Sequence, residues 1–85
     1  MLFPGEIKLK AIFEPDVKWR LVEEFGPNCY TVTEDGKLLL EEDYTDMDNL
    51  VMWLLTFAEK VVVLEPEEVR ERMISIAEAI KQNYI

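Results

Sequence analysis

The sequence contains no histidine and a single cysteine, Cys29. Without a second cysteine, the chain forms no internal disulfide and no multi-cysteine metal site. The absence of histidine removes the side chain that most often serves as a general base near neutral pH. Ser75 falls inside a helical pattern, without the strand-turn-helix context that exposes a nucleophilic serine. Little is left to support catalysis, and we predict that the chain is not an enzyme.

Glycine is also scarce, with three residues in the chain. No glycine-rich stretch is present that would cradle a phosphate group. The acidic run Glu41-Glu42-Asp43 offers oxygen atoms to a hard cation, but it lacks the glycine and the twelve-residue layout of a calcium loop. Solvated acids at a strand edge explain the run better. We therefore expect no cofactor and no metal site.

Long apolar runs and an excess of basic residues are missing as well. The longest apolar stretch is Leu50 to Leu55, whereas a membrane-spanning helix needs roughly 20 residues. The N-terminus does not have the pattern of a signal peptide. Nine bases against eighteen acids produce a net charge of -9, which opposes binding to double-stranded DNA. The sequence predicts one cytoplasmic domain over residues 1–85, with no membrane contact and no direct DNA contact.

The first half of the sequence carries a strand signal followed by a helix signal. In IKLKAIF, residues 7–13, apolar side chains alternate with Lys8 and Lys10, as in a strand with one buried face. Glu14-Pro15 ends this strand, and proline suits the first turn of a helix. The helix that starts at Pro15 ends at Gly26-Pro27. Its apolar face consists of Val17, Leu21, Val22 and Phe25.

The second half predicts a hairpin, a helix, a strand and a final helix. CYTVT and KLLLEEDY flank Glu34-Asp35-Gly36, and Asp-Gly is typical of a hairpin turn in which both residues adopt positive φ. Thr45-Asp46-Met47-Asp48 resembles a capping box, and the helix after it has an apolar face formed by Met47, Leu50, Val51, Leu54 and Ala58. KVVVLE indicates a strand that is covered on both faces. Glu65-Pro66 then begins a third helix, whose stripe consists of Val69, Met73, Ile76, Ala77, Ile80 and Tyr84.

The order of these elements predicts an α+β fold. Strand, helix, strand, strand, helix, strand is the ferredoxin-like βαββαβ arrangement, an antiparallel four-stranded sheet with two helices on one face. The third helix is an additional C-terminal helix, and we expect its stripe to cover the otherwise exposed face or edge of strand 4. The two Glu-Pro junctions, at 14–15 and 65–66, fall at different points of the fold's internal symmetry. The same dipeptide ends a strand and begins a helix at both places, and the two junctions do not indicate an internal sequence repeat.

Three aromatic residues are candidates for contact with a partner. Trp19 lies off the main stripe of the first helix, and Trp53 and Phe57 form a second apolar edge one turn apart on the second helix. Aromatic side chains outside a small core often mark a protein interface. The alternative for each of them is ordinary packing in the core or at its rim.

Two lysines are further candidates. Lys8 and Lys10 lie on the outer face of strand 1, where we expect them near Lys18 or Arg20. Such a group of bases suits an anion or an acidic partner, although ordinary solvated lysines have the same pattern. A small-molecule site near Lys8, Lys10 and Trp19 would make the chain a sensor domain, which is the alternative to a role in assembly.

The segment WLLTFAEKVVVLEPEEVRERM resembles the C-terminal signature of WYL-domain transcriptional regulators, in which a helix runs into a strand and then into V-L-x-P-x-x-[VL]-R. The matching residues are Trp53, Leu54, Leu55, Phe57, Val63, Leu64, Pro66, Val69 and Arg70. KLKAIFEPDVKWRLVEEFG and TEDGKLLLEEDYTDMDNL are similar to the rest of the WCX, or C-terminal extension, domain that follows the WYL domain. The resemblance covers about residues 8–84. One departure is Ala58, where the family usually has glycine, so a non-glycine residue must adopt the tight turn.

The resemblance implies a role in bacterial transcription control. A preceding domain would bind DNA, the WYL domain would sense an effector, and this module would dimerise or transmit the signal. The chain would then be the C-terminal fragment of a longer regulator. Its partners would be a second copy, in a homodimer, and the WYL and DNA-binding domains of the same chain.

Overall fold

The computed structural model describes residues 7–85, which form four strands and three α-helices. The strands are β1 (Ile7–Phe13), β2 (Tyr30–Val32), β3 (Leu38–Tyr44) and β4 (Val61–Glu65). The α-helices are α1 (Lys18–Phe25), α2 (Met47–Leu55) and α3 (Glu67–Gln82), and short 3₁₀ turns lie at Pro15–Val17 and Ala58–Lys60. The predicted order of seven elements is confirmed.

The four strands form one antiparallel sheet in the order β2-β3-β1-β4. In the register of the central pair, Ala11 lies opposite Leu40 and Phe13 lies opposite Leu38. On the other side of β1, Ala11 pairs with Val63 and Phe13 pairs with Val61. This is the ferredoxin-like order, and the predicted βαββαβ arrangement with an additional C-terminal helix is confirmed.

One face of the sheet and one side of each helix form a single core. The alternation predicted for β1 is confirmed, because Leu9, Ala11 and Phe13 are buried. The other buried residues are Leu21, Leu38, Leu40, Leu50, Val51, Leu54, Phe57, Val61, Val63 and Val69. Since side chains alternate across a strand, Lys8, Lys10 and their neighbours lie on the opposite face, which we call the outer sheet face.

The Asp-Gly turn differs in detail from the prediction. Gly36 has a φ of 83°, but Asp35 is not in the positive region. The Thr33 N–H donates to the Lys37 carbonyl, and the Gly36 N–H donates to the Thr33 carbonyl. The hairpin therefore has a three-residue loop in which only the last residue needs glycine, and the prediction that Asp35 also has a positive φ is wrong.

The cap of α2 also differs from the predicted box. Asp46, not Thr45, is the N-cap, and its carboxylate accepts hydrogen bonds from the N–H and the side-chain amide of Asn49. A carboxylate at this position satisfies an orphan donor and favours the positive end of the helix. The prediction placed the start of the helix correctly and the capping residue one position too early.

The third helix covers less of β4 than predicted. Val69 is fully buried, and α3 lies against β4 and α2. The outer side of β4 stays open, because Val62 is 58% exposed and Leu64 is exposed too. The prediction that β4 is covered on both faces is therefore wrong. The stripe of α3 also extends beyond the core, since Ile80 is 49% exposed.

Ala58 occupies the tight turn between α2 and β4, with a φ of 53°. This conformation costs a non-glycine residue roughly 1–2 kcal/mol, while glycine loses roughly 0.5–1 kcal/mol more conformational entropy on folding. We expect Ala58→Gly to raise the free energy of unfolding by about 0.5–1 kcal/mol, measured by urea denaturation. Ala79→Gly, at an exposed position inside α3, should lower it by about 1 kcal/mol. A lower stability of Ala58→Gly would contradict this interpretation of the turn.

Candidate functional site

Trp53 and Phe57 do not form a spare apolar edge. Phe57 is 3% exposed, and its ring meets that of Phe13 edge to face at 4.8 Å between centroids. The Trp53 ring lies 4.9 Å from Phe57 and 5.7 Å from Phe25, again edge to face. Edge-to-face pairs of this kind add to the stability that area burial provides. Of the two alternatives, packing in the core or at its rim is the one that the structure shows for Trp53 and Phe57, because the end of α2 turns them toward β1 and α1.

The Arg20 guanidinium lies over the ring of Phe57. Its guanidinium carbon lies 3.8 Å from the ring centre, and its two terminal nitrogens donate to the carbonyl and the hydroxyl of Thr56, at 3.3 Å and 2.7 Å. This cation–π contact and the two hydrogen bonds join α1 to the end of α2. Arg20 therefore belongs to the packing of the helices, and it is not available to a basic group on the outer sheet face.

The candidate lysines lie on the outer sheet face, as predicted, but not beside Lys18 or Arg20. Lys8 is 3.6 Å from Asp43 on β3, and Lys10 has Glu41 and Glu65 as its register partners. Lys18 lies over the Tyr30 ring instead. The predicted group of bases is wrong, because each lysine on the outer sheet face has acidic neighbours on the adjacent strands.

Trp19 is the candidate aromatic residue that the structure leaves exposed, at 62%. It projects from α1, and α1 packs on the side of the sheet opposite Lys8 and Lys10. A single pocket formed by Trp19 and these lysines is therefore wrong. Contact of Trp19 with a partner stays a prediction.

An apolar row crosses the outer sheet face, and the sequence analysis missed it. Ile12 lies opposite Leu39 on β3 and opposite Val62 on β4, so the three side chains are neighbours on adjacent strands. Leu64 extends the row along β4. The signal in the sequence was the run of apolar residues in KVVVLE, which we assigned to a strand covered on both faces. We call Ile12, Leu39, Val62 and Leu64 the outer row.

A groove of about 930 Å³ lies between the start of β1 and α3. Its lining combines apolar residues with charged ones: Ile7, Lys8, Met47, Glu65, Pro66, Glu68, Glu71, Arg72 and Ser75. Arg72 forms a salt bridge with Asp48, which ties α3 to the first turn of α2. The groove borders the first described residue, Ile7, and holds charges of both signs, so its lining does not select one class of ligand.

A second cleft, of about 300 Å³, lies where β3 ends and α2 begins. It is lined by Glu24, Tyr44, Thr45, Asp46, Asn49, Leu50 and Trp53. The Tyr44 hydroxyl is buried and has no hydrogen-bond partner within residues 7–85. Burial, and then the charges of Glu42 and Glu24, raise the pKa of Tyr44, so the hydroxyl stays protonated. We call this cavity the Tyr44 cleft. Of its lining residues, Trp53 alone was a candidate for ligand or partner contact in the sequence, because Glu24 and Tyr44 meet through the fold alone.

The described residues offer little support for nucleophilic or metal-assisted catalysis. The Cys29 thiol is partly buried 3.7 Å from the Leu21 carbonyl, and burial raises the pKa of this thiol, which favours the unreactive protonated form. Within residues 7–85, no three acidic or cysteine side chains come together in a way that would hold a metal ion. No helix in the same range is long and apolar enough to cross a membrane.

Comparison with known proteins identifies the family. No curated protein matches the chain. The model of the WCX domain family matches residues 5–81, which is nearly the whole sequence and includes every strand. WCX domains are found C-terminal to WYL domains in transcriptional regulators. The fold expected for the resemblance and the residues that carry it are both present, and the chain belongs to the WCX domain family.

Proposed function

We propose that this chain is the C-terminal regulatory and oligomerisation domain of a WYL-type bacterial transcriptional regulator, with no catalytic activity of its own. Membership of the WCX family supports the regulatory context. The uncovered outer row supports the assembly role, and it is the observation on which the proposal rests. DNA binding belongs to a preceding domain of the same chain, and the WYL domain lies between the two.

The outer row is suited to pairing with a second copy. Val62, at 58% exposed, loses the most solvent contact when another sheet stacks on this face. A domain of this size buries a smaller fraction of its surface than a larger domain does, so assembly is an effective way to stabilise it.

The charges beside the outer row are also compatible with self-association. The adjacent rows contain Lys8 opposite Asp43 and Lys10 opposite Glu41. A two-fold axis brings the same surface patch of two copies together. Because the patch holds both signs, each lysine of one copy can meet a carboxylate of the other.

Light scattering of the chain tests the proposal. The concentration is varied from about 10 to about 500 μM, a range on the order of the Kd of a weak dimer. We expect a mass approaching twice 10.0 kDa at the upper end. Val62→Glu should weaken the dimer by at least about 30-fold, because it places an unpaired charge in the apolar row. Met52→Glu is the matched control, since Met52 is 61% exposed on α2, away from the sheet. A strict monomer throughout, or equal effects of the two variants, would overturn the assembly role.

A further inference from the structure

We propose that the Tyr44 cleft binds an organic cation, with a guanidinium or an alkylammonium group as the part that is recognised. The proposal concerns a ligand site on the helix side of the sheet. It therefore goes beyond the assembly role of the outer sheet face and does not depend on it.

One wall of the Tyr44 cleft is aromatic. Tyr44 and Trp53 both line it, and their rings lie 6.2 Å apart at a shallow angle of 35°. Phe25 packs edge to face against both rings and holds them in place. A cation over the face of tryptophan or tyrosine is attracted by the electron-rich ring, most strongly where water is partly excluded. The wall is thus rigid and of the residue types that bind organic cations best.

The rim of the Tyr44 cleft carries negative charge. Glu24 and Asp46 line the Tyr44 cleft, and no lysine or arginine does. Among residues 7–85, neither carboxylate takes part in a salt bridge. Glu42 adds a third negative charge close to Tyr44. A positive ligand would reduce this repulsion between like charges, whereas an anion would increase it.

The geometry favours an organic cation over a metal ion. Both oxygens of Asp46 already accept hydrogen bonds from Asn49 at the start of α2, at 3.1 Å and 3.0 Å. Glu24 is then the one lining carboxylate that makes no such bond within the described residues. A hard metal ion needs about six oxygen ligands, but a guanidinium needs a single carboxylate and a flat aromatic surface.

The Tyr44 hydroxyl is an independent sign of a missing partner. It is buried in the wall of the cleft, and no donor or acceptor among residues 7–85 pairs with it. A buried hydroxyl without a partner is costly, and such groups are rare in native proteins. An N–H donor on a ligand that reaches this oxygen from the cleft would satisfy it.

The cleft is large enough for such a ligand and too small for a folded partner. A volume of about 300 Å³ accommodates a guanidinium with a short alkyl chain. Two sources share this chemistry: a small diffusible molecule, and an arginine or lysine side chain from a neighbouring domain of the longer regulator. The experiment distinguishes them.

Titration of the ¹⁵N-labelled chain with butylguanidine, followed through the indole N–H resonances, is the first test. We expect a saturable shift of Trp53 and no shift of Trp19, which lies elsewhere on the surface and serves as an internal control. Butylurea has the same shape without the charge, and it should bind at least about tenfold more weakly. No saturable shift at millimolar butylguanidine, or equal binding of the two ligands, would overturn the proposal.

Two neighbouring substitutions test the role of the rim. Glu24→Gln removes the lining charge and should weaken butylguanidine binding about five- to tenfold. Glu23→Gln is the matched control, because Glu23 is the adjacent exposed residue on α1 and does not line the cleft. Both variants leave the core unchanged, so each should fold. Equal affinities of the two variants would show that the cleft does not select the cation and would overturn the proposal.

The same resonance identifies the natural source. In a longer chain that includes the preceding WYL domain, an unaltered response of Trp53 to butylguanidine assigns the site to a diffusible cation. The alternative result is a Trp53 resonance that is already at the bound position and that Glu24→Gln returns to the free position. This result assigns the Tyr44 cleft to a side chain of that domain. Both outcomes support the recognition of a cation. A Trp53 resonance that stays at the free position and no longer responds would overturn the proposal for the regulator.

Discussion

Replacement of Trp53 by alanine is expected to lower the free energy of unfolding by about 3–5 kcal/mol. Trp53 is the centre of an aromatic cluster, with ring centroids of Phe13, Phe25, Tyr44 and Phe57 all between 4.9 and 6.2 Å away. These partners come from α1, β1, β3 and the turn after α2. The substitution removes a large ring from all of them at once and leaves a cavity that they cannot close.

Trp19→Ala is the control for this prediction. Because Trp19 is 62% exposed, its removal should change the free energy of unfolding by no more than about 0.5 kcal/mol. Urea denaturation followed by circular dichroism compares the two variants in one experiment. Domains of 85 residues have a total stability of roughly 4–13 kcal/mol, so Trp53→Ala brings the chain close to unfolding. Similar stabilities of the two variants would contradict the aromatic cluster.

Val69→Asp should destabilise the chain by at least about 3 kcal/mol, since it places an unpaired charge in the core. Val69 is fully buried in the main cluster, against which Met73 and Ile76 of α3 also pack. The carboxylate would meet an apolar environment formed by α2 and β4. We expect α3 to detach from the sheet, with loss of helical circular dichroism.

Ile80→Asp is the matched control on the same stripe. Ile80 is 49% exposed, so the same change of charge should cost less than about 1 kcal/mol, mainly through the unfavourable position of an acid near the end of α3. Thermal unfolding of both variants checks the difference. If Ile80→Asp proves as damaging as Val69→Asp, the last turns of α3 are covered in solution by a second copy or another domain.

These variants also set limits on functional experiments. Trp53 was a candidate for partner contact because aromatic residues outside a core often form interfaces. Since its side chain supports four elements, loss of regulation in Trp53→Ala would report unfolding and not a lost contact. Val62 and Glu24 are better positions for functional tests, because both side chains are exposed and lie outside the core.

Much of the fold was predictable because its signals are local. Alternation in residues 7–13 placed β1, Gly26-Pro27 ended α1, and Gly36 marked the hairpin. These signals depend on the allowed backbone angles of single residues and on which side each side chain faces. Capping was predicted to within one residue, since Thr45 and Asp46 are both capable of the role and only the packing of α2 selects between them.

The candidate site was less predictable because it depends on contacts between distant residues. Phe57 and Arg20 are separated by 37 positions in the sequence, yet Arg20 lies directly over the ring. Glu24 and Tyr44 come from α1 and β3 and meet only when both pack against Trp53. No spacing rule relates such pairs, so the sequence left the burial of Phe57 open and did not reveal the Tyr44 cleft.

The sequence by itself determined the order of the elements, the inward face of β1 and the family, because each of these is encoded in short segments and their periodicity. Only the tertiary structure decided which apolar residues remain exposed. Val61, Val62 and Val63 are residues of the same type. The pleat of β4 turns Val61 and Val63 into the core and Val62 to solvent. Burial depends on what lies across from a side chain, and that neighbour is chosen by the packing of the whole chain.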